Sequence, residues 1–171
     1  MPFDIEPLTD IHNLDNFDCG EGNVNDYLRR YALRNQNLRR SNAFVATEHG
    51  SGRVLGFYTL SNAQVEYNHL PLQQGAPRYP IPCTLIGWIG TDHTTQGRGE
   101  RVGETLLFSA LKRALEGSTH SASNAVITDA SNPRAVTFFA KYGFEQMDEA
   151  VQRPPLVRMY LLMDTIRRMN L

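Results

Sequence analysis

Apolar residues recur along this chain with the two spacings that distinguish strands from helices. Short apolar runs bounded by turn residues predict six β-strands, and longer segments with apolar residues three and four positions apart predict helices. A Gly-Ser-Gly turn at residues 50–52 separates two strands, and a proline-rich loop at residues 71–82 precedes another. The predicted strands cover residues 4–8, 43–47, 54–65, 84–91, 125–128 and 157–163.

Two long segments have the helical period. Residues 23–40 carry apolar side chains at helical spacing, which predicts an inward face. That face consists of Val24, Tyr27, Leu28 and Tyr31. A second helix is predicted from the glycine-rich loop described below to about residue 116. Its apolar stripe consists of Val102, Leu106, Leu107, Ala110, Leu111 and Ala114.

A third helix is delimited by its own capping residues. Asn132 is a preferred N-cap, Pro133 suits the first helical position, and Gly143 suits a left-handed exit. Apolar side chains between these ends share one face, which predicts a short helix packed on one side. They are Ala135, Phe138, Phe139 and Tyr142.

Residues 96–103 form a glycine-rich loop between a predicted strand and a predicted helix. Because glycine has no Cβ, the backbone comes close to a phosphate there, and the unpaired N–H groups and the helix dipole point at it. The loop lacks the Gly-Lys of a P-loop, and Gly97, Gly99 and Gly103 do not have dinucleotide-binding spacing. The loop therefore predicts a phosphate-bearing cofactor, with a turn that holds no ligand as the alternative.

Length and composition limit the class of protein. A chain of 171 residues with 41% hydrophobic and 20% charged residues is typical of one globular domain. The two cysteines and five histidines lack metal-ligand spacing, so we expect no metal site and no disulfide framework. The first residues do not resemble a signal peptide and no apolar run is long enough to span a membrane, which predicts a cytoplasmic protein without a membrane partner.

A basic patch stands out against a net charge of -1. Since the whole chain offers no attraction to nucleic acid, such binding depends on a local cluster of charge. Guanidinium groups bind phosphates through two parallel hydrogen bonds, so the patch predicts contact with RNA, and a solvated helix face is the alternative. The patch consists of Arg29, Arg30, Arg34, Arg39 and Arg40.

Two motifs taken together resemble the GCN5-related N-acetyltransferase family. Members typically have an Asp four residues before a Gln, a Q/R-x-x-G-x-G/A loop and the motif N-x-x-A-x-x-F-Y-x-x-x-G-F. Here Asp92 precedes Gln96 at that spacing, and residues 132–144 read N-P-R-A-V-T-F-F-A-K-Y-G-F. The resemblance implies an α+β fold with a mixed, mostly antiparallel sheet flanked by helices, in a single domain over residues 1–171.

Other segments resemble a narrower group, the acetyltransferase toxins of bacterial toxin–antitoxin pairs. They are residues 17–21, 54–60 and 86–92, so the resemblance covers about residues 17–160. It implies transfer of acetyl from acetyl-CoA to the α-amino group of aminoacyl-tRNA, which blocks translation. It also implies a ribbon-helix-helix antitoxin as partner and a possible homodimer.

The resemblance also implies which residues form the site. Backbone groups at the end of a strand are expected to hold the pantetheine arm, and the glycine-rich loop the pyrophosphate. Trp88 and the five arginines are expected on the substrate side. The expected cofactor contacts are Ile89, Gly90, Thr91, Gln96, Gly97, Arg98, Gly99, Glu100, Arg101, Val102, Gly103, Asn132 and Phe139.

The chain departs from the family pattern at three places. Phe139 stands where members place a tyrosine credited as general acid, and phenylalanine has no proton to donate, whether the change is natural or introduced. Tyr142 is the candidate substitute donor, and a core aromatic is the alternative. Trp88 stands where the toxins usually have arginine, and it suits either stacking on a base or ordinary packing. The loop is two residues longer than the norm, which places Arg101 at a motif glycine.

Three functions remain open at this stage. The first is a toxin-like acetyltransferase that acts on aminoacyl-tRNA. The second keeps the reaction but acts on a small-molecule or protein amine, with the arginines as a solvated face. The third, which the three departures favour, is a protein of the same fold that binds CoA or a partner without catalysis.

Overall fold

The computed structural model describes residues 2–71, 73–97 and 101–171. Seven strands form one sheet in the order β1-β2-β3-β4-β5-β7-β6; the pairings β1–β2, β2–β3, β5–β7 and β6–β7 are antiparallel, and β4–β5 is parallel. The predicted mixed, mostly antiparallel sheet is confirmed. The strands are β1 (Phe3–Pro7), β2 (Asn42–Glu48), β3 (Val54–Val65), β4 (Ile81–Thr91), β5 (Ala125–Ala130), β6 (Glu145–Gln146) and β7 (Val157–Leu162).

The chain forms two compact units. The first comprises the described residues up to Ser61 and within Gly87–Ala110. In it β1 pairs with β2, and β2 pairs with β3. The β2–β3 pairing has a bulge at Ala46/Thr47. Its core is built from helix and strand side chains together. The members include Leu8, Phe17, Val24, Leu28, Val45 and Phe57.

The second unit comprises Asn62–Ile86 and Leu111–Leu171. Here four residues of β4, from Cys83 to Ile86, pair in parallel with β5. The β7 strand pairs antiparallel with both β5 and β6. A second cluster of buried side chains fills this unit. Its members are Val65, Leu70, Cys83, Ala125, Ile127 and Met147.

Five α-helices and one π-helical segment accompany the strands in the described part of the chain. The helices are α1 (Gly22–Asp26), α2 (Leu33–Asn37), α3 (Val102–Gly117), α4 (Pro133–Lys141) and α5 (Met163–Arg168). All six side chains of the stripe predicted for α3 are buried. Periodicity succeeds there because sixteen residues make more than four turns of one regular helix.

The first predicted helix is regular only at its ends. Between α1 and α2 lies the π-helical segment Tyr27–Ala32, and we call these three elements together the arginine run. A π-turn places one extra residue in the turn, so the buried face moves from Tyr31 to Ala32. Ala32 is fully buried and Tyr31 is 48% exposed. The prediction that Tyr31 faces the interior was therefore wrong, whereas Val24, Tyr27 and Leu28 are buried as predicted.

Helix α4 follows its sequence signals. The side chain of Asn132 accepts a hydrogen bond from the Ala135 amide at 2.8 Å, which makes it the N-cap. Gly143 has φ +96° and ends the helix. The amide of Phe144 reaches the Phe139 carbonyl and that of Gly143 the Ala140 carbonyl, which is a Schellman motif.

The sequence pattern did not predict every element. The last strand ends at Leu162 and not at residue 163, because Met163 begins helix α5. The two-residue β6 and the short 3₁₀ turns Tyr67–His69 and Glu149–Val151 were also missed. Among the described residues, no helix has the length and apolar character needed to cross a membrane.

Candidate active site

The end of β4 is the first component of the site. Ile89, Gly90 and Thr91 are its last three residues, and all are half-buried. A side chain at Gly90 would meet Val24 at 3.2 Å, so α1 lies directly against the strand there. The amide that follows the strand, that of Asp92, donates to the Leu55 carbonyl at 2.8 Å.

Close approach at Gly56 brings the start of α3 to this strand. A Cβ at Gly56 would lie 2.6 Å from a methyl group of Leu106 and 2.9 Å from the Gly90 carbonyl oxygen. Since such distances do not occur in proteins, a larger residue would move the helix or the strand. Gly56 therefore sets the distance between the end of β4 and the first turns of α3.

Asp92 organises the turn after β4. Its carboxylate is 3% exposed and accepts hydrogen bonds from the Thr94 hydroxyl at 2.6 Å, the Thr94 amide at 3.0 Å and the Asp18 amide at 3.1 Å. Burial by itself raises the pKa of this carboxyl, but these three donors outweigh it and hold the pKa below its ordinary value. Asp92 is therefore ionised at neutral pH and fixes the turn.

Gln96 and Gly97 lead into the glycine-rich loop. The Gln96 side-chain amide donates to the Thr91 carbonyl at 2.9 Å and to the Cys19 carbonyl at 3.3 Å. Gly97 has φ +74°, a conformation that other residues adopt only with strain. The expected contacts Arg98, Gly99 and Glu100 lie outside the described residues.

Arg101 and α3 form the far side of the loop. Arg101 has φ +49°, and its carbonyl accepts from the Thr105 amide at 3.0 Å, so the helix begins there. Its guanidinium is 74% exposed and lies 3.5 Å from the Glu104 carboxylate. Val102 is buried, and Gly103 is the second residue of α3. The sixteen-residue helix directs its positive dipole end at the loop, as an anion site requires.

Sequence reasoning missed Asn25, which connects the segment at residues 18–19 to the arginine run. Asn25 is 8% exposed; its amide nitrogen donates to the Asp18 carboxylate at 2.9 Å and its oxygen accepts from the Cys19 amide at 2.9 Å. A polar residue between the apolar residues Val24 and Tyr27 was the available signal. The Gly20 and Asn25 donors also lower the pKa of the Asp18 carboxyl.

The five arginines do not form one equivalent set. The Arg29 guanidinium donates to the backbone carbonyls of Phe17 and Leu14, so it supports the segment that precedes the arginine run. Arg39 has φ +58° just beyond α2. The other side chains, Arg30, Arg34, Arg39 and Arg40, are exposed, and no ion pair among the described residues includes them. These four retain the charge that phosphate binding needs.

Trp88 packs on the arginine run. Its ring stacks on Tyr27 with centroids 4.4 Å apart and an interplanar angle of 12°. The ring is half-buried against the first core, and the backbone amide donates to the Thr59 hydroxyl at 3.1 Å. This arrangement is that of a packing residue with part of its surface in solvent.

Phe139 and Tyr142 belong to the second unit. Phe139 is 2% exposed, with ring centroids 5.3 Å from Phe138 and 5.2 Å from Phe144. Tyr142 is half-buried, lies 5.3 Å from the Phe138 ring and has the Lys141 ammonium 5.4 Å above its own ring. Asn132 caps α4, as described above. Whether these three residues serve catalysis or cofactor binding stays a prediction.

Neither of the two cysteines is an activated nucleophile. Burial raises the pKa of the Cys83 thiol to about 11 and also raises that of Cys19. Within residues 2–71, 73–97 and 101–171, no three side chains of the His, Cys, Asp and Glu types are placed to share a metal ion.

Comparison with known proteins identifies relatives along most of the chain. It is 31% identical over 140 residues to a tRNA-acetylating toxin of Mycobacterium tuberculosis, and the match covers 81% of each protein. It is 29% identical over 175 aligned residues to a probable toxin, TacT, of Sinorhizobium fredii, covering 95% of this chain and 92% of that one. No protein-family model matches the chain.

Solved structures have the same fold. A tyrosine-to-phenylalanine mutant of KacT superimposes with a TM-score of 0.88 at 23% identity, over 99% of both chains. AtaT complexed with acetyl-methionyl-tRNAfMet gives 0.86 at 25% identity, and AtaTR bound with acetyl-CoA gives 0.83 at 26%, each over 99% of both chains. With the curated relative above 30% identity, these findings establish that the chain belongs to the tRNA-acetylating toxins, a group of GCN5-related acetyltransferases.

Proposed function

We propose that this protein transfers the acetyl group of acetyl-CoA to the α-amino group of aminoacyl-tRNA and thereby blocks translation. The observation that carries the proposal lies in the first unit: Gly97 is left-handed, and α3 begins close to the end of β4, an arrangement that suits an anion. The family supports it, because the curated relative is a tRNA-acetylating toxin and AtaT is solved with an acetylated aminoacyl-tRNA.

Main-chain groups suit the acetyl-CoA that AtaTR binds. The positive end of α3 and the glycine-rich loop provide N–H groups for the pyrophosphate, and Ile89, Gly90 and Thr91 provide backbone groups for the pantetheine arm. Acetyl-CoA supplies the acetyl group as a thioester. A site built from backbone needs glycines and a helix start more than particular side chains, so it accommodates the unusual loop sequence.

Catalysis requires an uncharged amine, a polarised carbonyl and a proton for the departing thiolate. Phe139 has no proton to donate at the position where the family motif has tyrosine. Loss of a general acid typically costs about 100-fold to 10,000-fold in rate, so we expect slow turnover from this chain. Tyr142 is the tyrosine within the motif, its ring is half-buried, and it is the candidate for a slower donor.

The substrate side is assigned to the arginine run and Trp88. Arg30, Arg34, Arg39 and Arg40 are exposed and offer bidentate contacts to tRNA phosphates, whereas Arg29 is engaged with main-chain carbonyls. Trp88 stacks on Tyr27, which fixes the orientation of its ring. Its exposed part is therefore a surface on β4, the strand that precedes the glycine-rich loop.

Partners and location follow from the same proposal. An antitoxin of the ribbon-helix-helix type is expected to bind the toxin, since a mutant of AtaT is solved bound to the C-terminus of the antitoxin AtaR. The cytoplasm is the expected location because charged tRNA is there. A homodimer remains part of the proposal, and co-purification with the antitoxin and size-exclusion chromatography with light scattering test both assemblies.

The decisive experiment measures transfer of radiolabelled acetyl groups to bulk charged tRNA by this chain and by a Phe139→Tyr variant. We expect label on the tRNA with both proteins and at least about 100-fold faster with the tyrosine. Uncharged tRNA serves as the control and should stay unlabelled, because it lacks the α-amine. Absence of label with both proteins would contradict the proposed reaction.

A second candidate is acetylation of a small-molecule or protein amine, favoured by Trp88 where the toxins usually carry arginine. In that case the arginines are a solvated face. Replacing Arg30 and Arg34 with Glu discriminates between the two, with Arg168→Glu in α5 as a matched exposed control. For a tRNA substrate, the double variant should weaken tRNA binding strongly and flatten its salt dependence, whereas the control should not. Unchanged turnover would favour the second candidate.

A further inference from the structure

Four polar side chains connect the end of β4 to the start of the arginine run. Asp18 and Asn25 lie on one side, and Asp92 and Gln96 on the other. We call them the polar clamp. The clamp extends from the residues expected to hold acetyl-CoA to the helix that carries the tRNA-binding arginines, and every contact in it lies within the first unit.

Hydrogen bonds donated by backbone amides join the two sides in both directions. The Asp18 amide donates to the Asp92 carboxylate at 3.1 Å, and the His93 amide donates back to the Asp18 carbonyl at 2.8 Å. The Asp18 carboxylate also accepts from the Gly20 amide at 2.8 Å. Residues 17–21 are therefore attached at several points to the turn that follows β4.

Gln96 uses its amide nitrogen inside the protein. Both of its N–H donors point to carbonyls, one on Thr91 at the end of β4 and one on Cys19. An amide has two N–H bonds, so none remains for a phosphate oxygen. A cofactor contact at Gln96 would therefore come from its backbone, and its side chain serves the loop.

We infer that Asp92, Asn25 and Gln96 are positioning residues: they hold the last residues of β4 and the first turn of the glycine-rich loop in the shape that receives acetyl-CoA, and their side chains do not contact it. The inference rests on the proposed function for its ligand. Loosening the clamp would let the loop move, so acetyl-CoA binding would have to order it again.

The test compares acetyl-CoA affinity across clamp variants of the full chain by calorimetry. Gln96→Glu keeps the side-chain volume but sets a carboxylate against two carbonyl oxygens, and Asn25→Ala removes both Asn25 hydrogen bonds. Each should raise the Kd for acetyl-CoA on the order of 10-fold. Because both act through one network, the double variant should be little weaker than either single one.

A matched glutamine provides the control. Gln152 donates to two carbonyls, those of Met147 and Arg158, but it belongs to the second unit. Gln152→Glu should change the Kd by less than about 2-fold. If Gln96→Glu raises the Kd and Asn25→Ala does not, Gln96 contacts the cofactor directly and the positioning role is wrong.

A milder variant covers the case in which Asn25→Ala does not fold. Thr94→Val is isosteric and removes only the hydroxyl that donates to Asp92. It should raise the Kd for acetyl-CoA several-fold, and an unchanged Kd would overturn the role of Asp92. In the Phe139→Tyr background, clamp variants should raise the KM for acetyl-CoA and leave kcat at saturation within about 2-fold.

Amide hydrogen exchange without any ligand separates this inference from the proposed function. In Asn25→Ala or Thr94→Val, the amides of Asp18 and His93 should exchange on the order of 10-fold faster than in the unmodified chain. Unchanged exchange overturns the positioning role. Absence of acetyl-CoA binding by the unmodified chain overturns the proposed function.

Discussion

Helix α4 and the arginine run show two ways in which a helix is fixed in this protein. Helix α4 is specified by local residues at its two ends, the Asn132 cap and the left-handed Gly143. The arginine run has no side-chain cap at Glu21 and contains a π-turn. It is held by hydrogen bonds of Asn25 and Arg29 with the preceding segment, residues 14–19.

The two helical segments end in the same motif but with different residues. Beyond α2, the Arg40 amide reaches the Asn35 carbonyl and the Arg39 amide the Gln36 carbonyl, so Arg39 occupies the left-handed position that Gly143 occupies after α4. Arginine is strained there and glycine is not. Arg39 therefore adopts this position against its local preference, and its side chain is exposed.

The largest effect on stability is expected from Phe139→Ala. Phe139 is buried, and its ring lies against Phe144 at the end of the Schellman motif, so truncation leaves a cavity and removes the contact that closes α4. The free energy of unfolding should fall by about 3–5 kcal/mol in urea denaturation. Phe138→Ala, at a half-buried neighbour, should cost clearly less. Equal losses would show that α4 is not packed through one face.

A smaller loss is expected from Gly143→Ala. The new Cβ would have an ordinary contact with Leu161 at 3.5 Å, so the cost arises from φ +96° and not from a clash. We expect a loss of about 1–2 kcal/mol in the free energy of unfolding. A neutral result would mean that α4 tolerates other exits and is less locally specified than we infer.

The opposite sign is expected at the end of the arginine run. Arg39→Gly relieves left-handed strain and should raise the free energy of unfolding by up to about 1 kcal/mol, since the flexibility of glycine in the unfolded chain offsets part of the gain. The same variant should weaken tRNA binding. A more stable variant with undiminished tRNA binding would contradict a functional reason for Arg39.

Acid should affect the polar clamp, which supports the arginine run, before it affects helix α4. Folding lowers the pKa values of Asp18 and Asp92, so their stabilisation is complete above the unfolded value of about 3.9 and is lost as pH falls through the lower folded values. The cap of α4 is the amide Asn132, which does not titrate. Exchange protection of the Asp18 and Thr94 amides should therefore fall below about pH 4 before that of the Ala135 amide. Simultaneous loss at all three would contradict this separation.

The sequence was sufficient where local rules decide the structure. Local signals predicted the caps of α4, the buried stripe of α3 and the long strand β3. Each signal, such as a capping residue or an apolar period, acts within a few residues of the chain. The burial of Asn25 depends on its hydrogen bonds with Asp18 and Cys19, and the inward use of Arg29 on the carbonyls of Leu14 and Phe17, which no periodicity indicates. The π-turn had no signal in the sequence. Arg39 gave no turn signal, since arginine rarely adopts a positive φ.

The candidate site divides in the same way. The family was predicted from two motifs, and phosphate binding by the glycine-rich loop stays a prediction. The sequence did not distinguish Gln96 as a loop support from Gln96 as a cofactor contact, because both uses require a glutamine at the same position. That distinction depends on the carbonyls of Thr91 and Cys19, which no side-chain pattern reports.

The most direct measurement is the mass of the 3′-terminal nucleoside released from charged tRNA after incubation with acetyl-CoA and this chain, compared with its Phe139→Tyr variant. We expect N-acetyl-aminoacyl-adenosine with both proteins, in small amount with the unmodified chain and in large amount with the variant. Unmodified aminoacyl-adenosine with both proteins would contradict acetylation of aminoacyl-tRNA by this protein.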